Sequence, residues 1–98
     1  MEEIQKKLII KKKILKRLQN ECKFYEKEIV ELENLIRFFN EFEPENYEVN
    51  KKKEILEETQ ETLKVVVKKT QEAEEDLYNY IEEHLEDGMI TNDLICDI

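Results

Sequence analysis

IQKKLIIKKKILKRLQNECKFYEKEIVELENLIRFF, residues 4–39, decides the fold. Ile4, Leu8, Lys11, Leu15, Leu18, Cys22, Tyr25, Ile29, Leu32, Ile36 and Phe39 recur at alternating steps of four and three, and Lys11 is the polar interruption. An α-helix turns once in 3.6 residues, so a 3.5-residue repeat keeps one stripe facing a partner along the whole length. Neither Gly nor Pro occurs between residues 1 and 43 to break it. The pattern predicts a helix over about 2–40, roughly 55 Å long at 1.5 Å per residue. So long and one-sided a helix needs cover, and the rest of the chain has to supply it.

A second stripe answers the first. Val49, Lys52, Leu56, Thr59, Leu63, Val66, Thr70, Ala73, Leu77, Tyr80 and His84 repeat with the same period, predicting a helix over about 49–87. Between the two stripes lies a loop over 41–48, where Pro44 cannot continue a helix and biases Glu43 away from helical angles. Asn46 is the candidate N-cap of the second helix, with Asn50 as a later alternative. Two helices of similar length joined by so short a loop imply an antiparallel hairpin. Phe39, Phe42, Tyr47 and Val49 are expected to pack across the bend.

Charge points the same way. Residues 1–20 carry a balance of +5, residues 21–53 of −3 and residues 54–98 of −11, within a net −9. Lys7 with Lys11, Lys12 with Lys16 and Lys13 with Arg17 are repulsive four-apart pairs, and cations at a helix start oppose its dipole. Setting Phe39 against Val49 places Lys16 near Glu72, Lys12 and Lys13 near Glu75 and Asp76, and Lys6 near Glu82. Each exposed pair contributes only about 0.2–1 kcal/mol, so charge specifies orientation more than stability.

The second stripe is the thinner one, because Thr59, Thr70 and Ala73 bury little apolar area. Gly88 is the expected left-handed residue after the second helix, and Thr91 can cap a short third helix over about 91–98. Met89, Ile90, Leu94, Ile95 and Ile98 give that helix an apolar face. The nearest bare surface for it is Ile9, Ile10 and Ile14 with Ile81 and Leu85. The fold class is therefore all-α, a single rod-like domain of antiparallel coiled-coil hairpin plus short C-terminal helix, making a three-helix bundle.

Composition narrows the function. Ala, Glu, Lys, Leu and Arg supply 48 of the 98 residues, the share found in coiled coils and long helices. No apolar run is long enough for a membrane span, and no secretory leader is evident at the start. A basic helix start suits polyanions, but it has no aromatic stacking residues and the protein's net charge repels nucleic acid. Cys22 sits on the stripe and Cys96 near the end, which is no metal-ligand spacing and reads as packing by reduced thiols. His84 is the one histidine and there is no serine, so no triad can be assembled. The carboxylates follow the spacing of a solvated face, and no phosphate or calcium loop occurs. An enzyme, a metal and a cofactor are not expected.

Apolar residues outside the stripes remain. Phe24, Val30 and Phe38 occupy outer positions of the first helix, and Val65 and Val67 flank the stripe residue Val66 on the second. Three β-branched residues in succession are locally unfavourable in a helix. These side chains read as ordinary scattered exposure or as surface covered by the final segment, or else as a protein-binding strip along the rod.

Lys16-Arg17-Leu18, Tyr25-Glu26-Lys27-Glu28, Glu45-Asn46-Tyr47 and Glu54-Ile55-Leu56 with Glu58 follow in an order and at a spacing that resemble the tubulin-binding cofactor A family, over roughly residues 14–83. The resemblance implies a small helical cytosolic chaperone that binds β-tubulin after its release from the chaperonin and hands it on for heterodimer assembly, without nucleotide or metal. It implies a cytoplasmic site of action associated with the microtubule cytoskeleton. It also implies binding through helix faces, chiefly the second helix, rather than through the loop. Lys64, Val65, Val67, Lys68, Phe24 and Val30 are accordingly the candidate β-tubulin surface, while Tyr25, Glu28, Glu45, Asn46, Tyr47, Ile55 and Leu56 read as structural. Some members carry a mid-helix proline where this chain has Lys64, and their third helix is longer. Family members differ in oligomeric state; a monomer is favoured here, with a homodimer left open. The alternative is a structural or adaptor coiled coil that oligomerises through its heptad faces.

Overall fold

The computed structural model describes residues 2–86 and Gly88. Helix α1 spans Glu2–Phe42 and α2 spans Glu48–Leu85, and there is no strand among the described residues. The third helix expected over 91–98 lies outside the described residues. Helix α1 runs two residues beyond the expected end at 40, because the proline constraint falls on Glu43 and leaves Phe42 helical.

The bend is built from its own side chains. The Glu43 N–H closes the last turn of α1 on the Phe39 carbonyl at 2.8 Å. A β-turn follows with Pro44 at its second position, where a fixed φ is favoured, and the Asn46 N–H donates to the Glu43 carbonyl at 3.0 Å. Asn46 then caps α2: its Oδ1 accepts from the Glu48 N–H at 2.9 Å, and its Nδ2 donates to Glu43 Oε2 at 3.1 Å. Of the two candidate caps, Asn46 is the one used, so α2 begins one residue earlier than its stripe. Asn46→Ala is expected to cost about 0.5–2 kcal/mol in urea unfolding. An unchanged midpoint would mean that the helix start does not depend on this cap.

Phe39 and Val49 close the bend, both buried. Phe42 and Tyr47 do not join them: they are 68% and 85% exposed, and the Phe42 ring packs instead on Phe38 at 5.1 Å between centroids. Two helices bury only the side chains set between them, so aromatics on their outer sides keep a solvent-facing surface.

The chain packs as two compact units, one of α1 up to Gln19 with the chain from Lys68 onward, the other Asn20–Val67. In the first, Leu8, Leu15, Leu77 and Ile81 form the core, with Ile4, Ala73 and Tyr80 packed against it. The Tyr80 hydroxyl donates to the Ile4 carbonyl at 3.2 Å, and Lys11 Nζ reaches Asp76 Oδ2 at 2.5 Å while lying 5.2 Å from the Tyr80 ring centroid. Early residues of α1 thus meet late residues of α2, and the pairing is antiparallel. Lys11, the polar member of the stripe, is half-buried and takes Asp76, which the sequence assigned to Lys12 or Lys13.

Ile81 is a further correction, since it belongs to this core and not to the bare surface. A straight helix lags a strict heptad by about 20° per repeat, so the core-facing stripe slides to later positions along α2. By the fifth heptad Ile81, which follows Tyr80, has turned inward. Gly88 adopts the left-handed conformation expected of it, with φ 72°, and its N–H donates to the Leu85 carbonyl at 3.2 Å. The helix itself stops at Leu85, short of the expected 87.

In the second unit Phe39, Val49, Thr59 and Val66 are buried, while Tyr25, Ile29, Leu32, Ile36, Leu56 and Leu63 are half-buried. A helix with one partner shields each side chain from one direction only. Thr59 occupies an apolar position without a stranded hydroxyl, because Oγ1 donates to the Ile55 carbonyl one turn back at 2.8 Å.

Candidate protein-binding surface

Consecutive helical residues are set 100° apart, so Val65, Val66 and Val67 cannot share a direction. Val66 faces the seam and is buried. Val65 is 54% exposed and Val67 37%, while Phe24 and Val30 on α1 stand at 58% and 55%. These four side chains gain little from burial, and the two outer valines also carry the lower helix propensity of a β-branched residue. Lys64 and Lys68 are exposed one turn apart, and Lys64 Nζ donates to Glu61 Oε1 at 3.1 Å. An ion pair so exposed holds its partners weakly and leaves them available.

Heptad position sorts these residues within the second unit. In an antiparallel pair the c and g positions of both helices lie on one flank, and the b and e positions on the other. Phe24 and Val65 are both c residues, and the register that sets Phe39 against Val49 brings them level. Val30 is a b residue, Val67 an e residue and Lys64 a b residue, so they belong to the opposite flank. Lys68 lies on the outer face of α2, in the other unit. The six expected surface residues are all exposed, but they do not make one face.

The residues read as structural divide too. Asn46 caps α2, Tyr25 and Leu56 are half-buried on the seam, and Phe24 stands edge-on to Tyr25 at 5.5 Å. Glu28 is half-buried at a g position, and Glu45 is exposed in the turn. Tyr47 and Ile55 are exposed and do not pack as structural residues. Ile55 is a g residue on the flank of Phe24 and Val65. Its heptad position carried the signal, which became readable once the two flanks were distinguished.

Two shallow grooves border the start of α1. One is lined by Ile9, Lys12, Lys13 and Lys16; the other by Lys7, Ile10, Lys11 and Ile14 with Asp76 and Tyr80. Neither holds a nucleophile beside a base. The His84 ring packs at a tilt against Tyr80, 4.5 Å between centroids, at the end of the seam. Among the described residues no cluster of three metal-ligating side chains occurs, and no helix is long and apolar enough to cross a membrane.

The helices spend their heptad stripes on one another and keep Phe24, Val30, Val65 and Val67 outside, an arrangement of the helical-hairpin class. The chain belongs to the tubulin binding cofactor A family, whose model matches residues 3–95. No curated protein and no solved structure matches it. Membership implies a tubulin-folding cofactor, a chaperone that works by binding tubulin, and it points to the cytoplasm.

Proposed function

We propose that this protein captures β-tubulin after its release from the chaperonin and holds it for assembly with α-tubulin. It does so as a monomer, without nucleotide or metal, in the cytoplasm alongside the microtubule cytoskeleton. The observation that carries this reading is family membership over nearly the whole chain, joined to large apolar side chains left outside the seams of both helices. Phe24, Val30, Lys64, Val65, Val67 and Lys68 are the proposed contact residues. Their aliphatic and aromatic surface suits a client that still exposes apolar area, and the flanking lysines suit carboxylates around it.

The adaptor reading requires stripes free to pair with other chains. Every stripe residue of α1 and α2 is buried or half-buried, which favours the cofactor reading. Sedimentation at micromolar concentration separates the two: the cofactor runs as a folded 12.0 kDa monomer, the adaptor as an obligate oligomer.

A pull-down comparing β-tubulin with α-tubulin tests the client directly, with β-tubulin expected to be retained preferentially. Val65→Asp with Val67→Asp is expected to weaken capture about tenfold or more while helicity by circular dichroism is unchanged. Undiminished capture by that double variant would remove mid-α2 from the contact surface.

A further inference from the structure

The exposed apolar residues of the second unit are not shared evenly between its two flanks. Phe24 and Phe38 are c residues, Phe42 and Ile55 are g residues and Val65 is a c residue, so all five lie on one flank, and all five are exposed. The opposite flank offers Val30 and Val67 among Lys23, Glu26, Glu33, Arg37, Lys53, Glu57 and Lys64. From Phe24 to Phe38 the apolar flank runs fourteen residues along α1, about 21 Å. A flank between two antiparallel helices with apolar side chains spread over four turns has the reach to seat a third amphipathic helix.

Its rim says what kind of helix. Glu21, Glu28, Glu31 and Glu58 occupy the c and g positions between the apolar residues, against Lys51. A second copy laid flank to flank would set these carboxylates against their own kind. Asp93 and Asp97 give the chain's own residues 89–98 the same disadvantage. Charge complementarity selects a cationic occupant.

We propose that the Phe24, Phe38, Ile55 and Val65 flank seats a basic amphipathic helix of the client, of about fourteen residues, with leucine-like side chains inward and Lys or Arg along its edges. This rests on the β-tubulin reading above and narrows it to one side of the hairpin, with α1 contributing as much as α2.

The test compares two double variants of the full chain that add the same charge. Phe38→Asp with Ile55→Asp is expected to weaken β-tubulin capture about tenfold or more, and Asn50→Asp with Gln60→Asp, exposed on the opposite flank, to change it less than about twofold, with circular dichroism unchanged in both. Equal effects of the two pairs, or a larger effect of the second, would overturn the assignment. If the wild-type chain captures no β-tubulin, the functional reading fails, and the groove is then tested alone with a fourteen-residue helical Leu/Lys peptide and its Leu/Glu counterpart. The Leu/Lys peptide is expected to shift the amide resonances of Phe24, Phe38 and Ile55 and the Leu/Glu peptide to leave them in place. Shifts confined to the acidic end of α2 around Glu75 and Glu83, or concentration-dependent dimerisation abolished by Phe38→Asp, would overturn the proposal.

Discussion

Leu77→Ala is expected to lower the free energy of unfolding by about 2–5 kcal/mol, measured by urea denaturation of the full chain. Leu77 has no exposed surface and sits in a cluster with Leu8, Leu15 and Ile81. Truncation removes three carbon atoms from a site where every one of them is shielded, and it leaves a space that Leu8 and Ile81 fill only by moving. In a small domain held by about 5–15 kcal/mol, such a loss is a large share of the whole. Leu63→Ala is the matched control, because Leu63 occupies the same heptad position but is half-buried, and its loss should be the smaller of the two. A cost for Leu77→Ala within about 0.5 kcal/mol of zero would mean that the antiparallel pairing of the first unit is wrong.

Lys64→Pro is the second large effect, expected at about 3 kcal/mol or more. Helix α2 is continuous from Glu48 to Leu85, with Lys64 well inside it. Proline there removes the N–H that bonds to the Gln60 carbonyl and drives its ring against that carbonyl, so the helix kinks or breaks. The seam residues Leu63 and Val66 lie on either side of the substitution and lose their fit together. Lys64→Ala separates backbone from side chain: it removes the charge and the Glu61 pairing yet is expected to stay within about 0.5 kcal/mol of the parent, as exposed sites do. If Lys64→Pro unfolds at the parent's urea midpoint, α2 already bends at that point and its inward stripe is interrupted there.

Both variants test features that could be read from residues 4–39 and their answering stripe, and much of the fold was legible in the same way. Heptad spacing marked the inward-facing positions apart from that of Ile81, and none of the stripe residues of either helix is exposed. Pro44 and Asn46 marked the bend because their chemistry is local: one lacks an N–H, the other has a side chain short enough to cap its own helix. The candidate surface was legible only as a set of residues left over. Phe24 and Val30, or Val65 and Val67, look alike in a sequence because both members of each pair are apolar and off the stripe. They part company once two helices lie side by side and give the hairpin two distinct flanks.

The sequence by itself determined that the chain is two long helices with their stripes turned on each other, because periodicity, proline and capping act over a few residues and need no partner to be expressed. The tertiary structure alone decided which lysine meets Asp76, that Ile81 joins the core, and that Phe42 and Tyr47 face outward. Each of those outcomes turns on rotation or register by a single residue, about 100° around the helix or 1.5 Å along it. Only the packing of one helix against the other, with the accumulated lag between 3.5 and 3.6 residues per turn, fixes a shift that small.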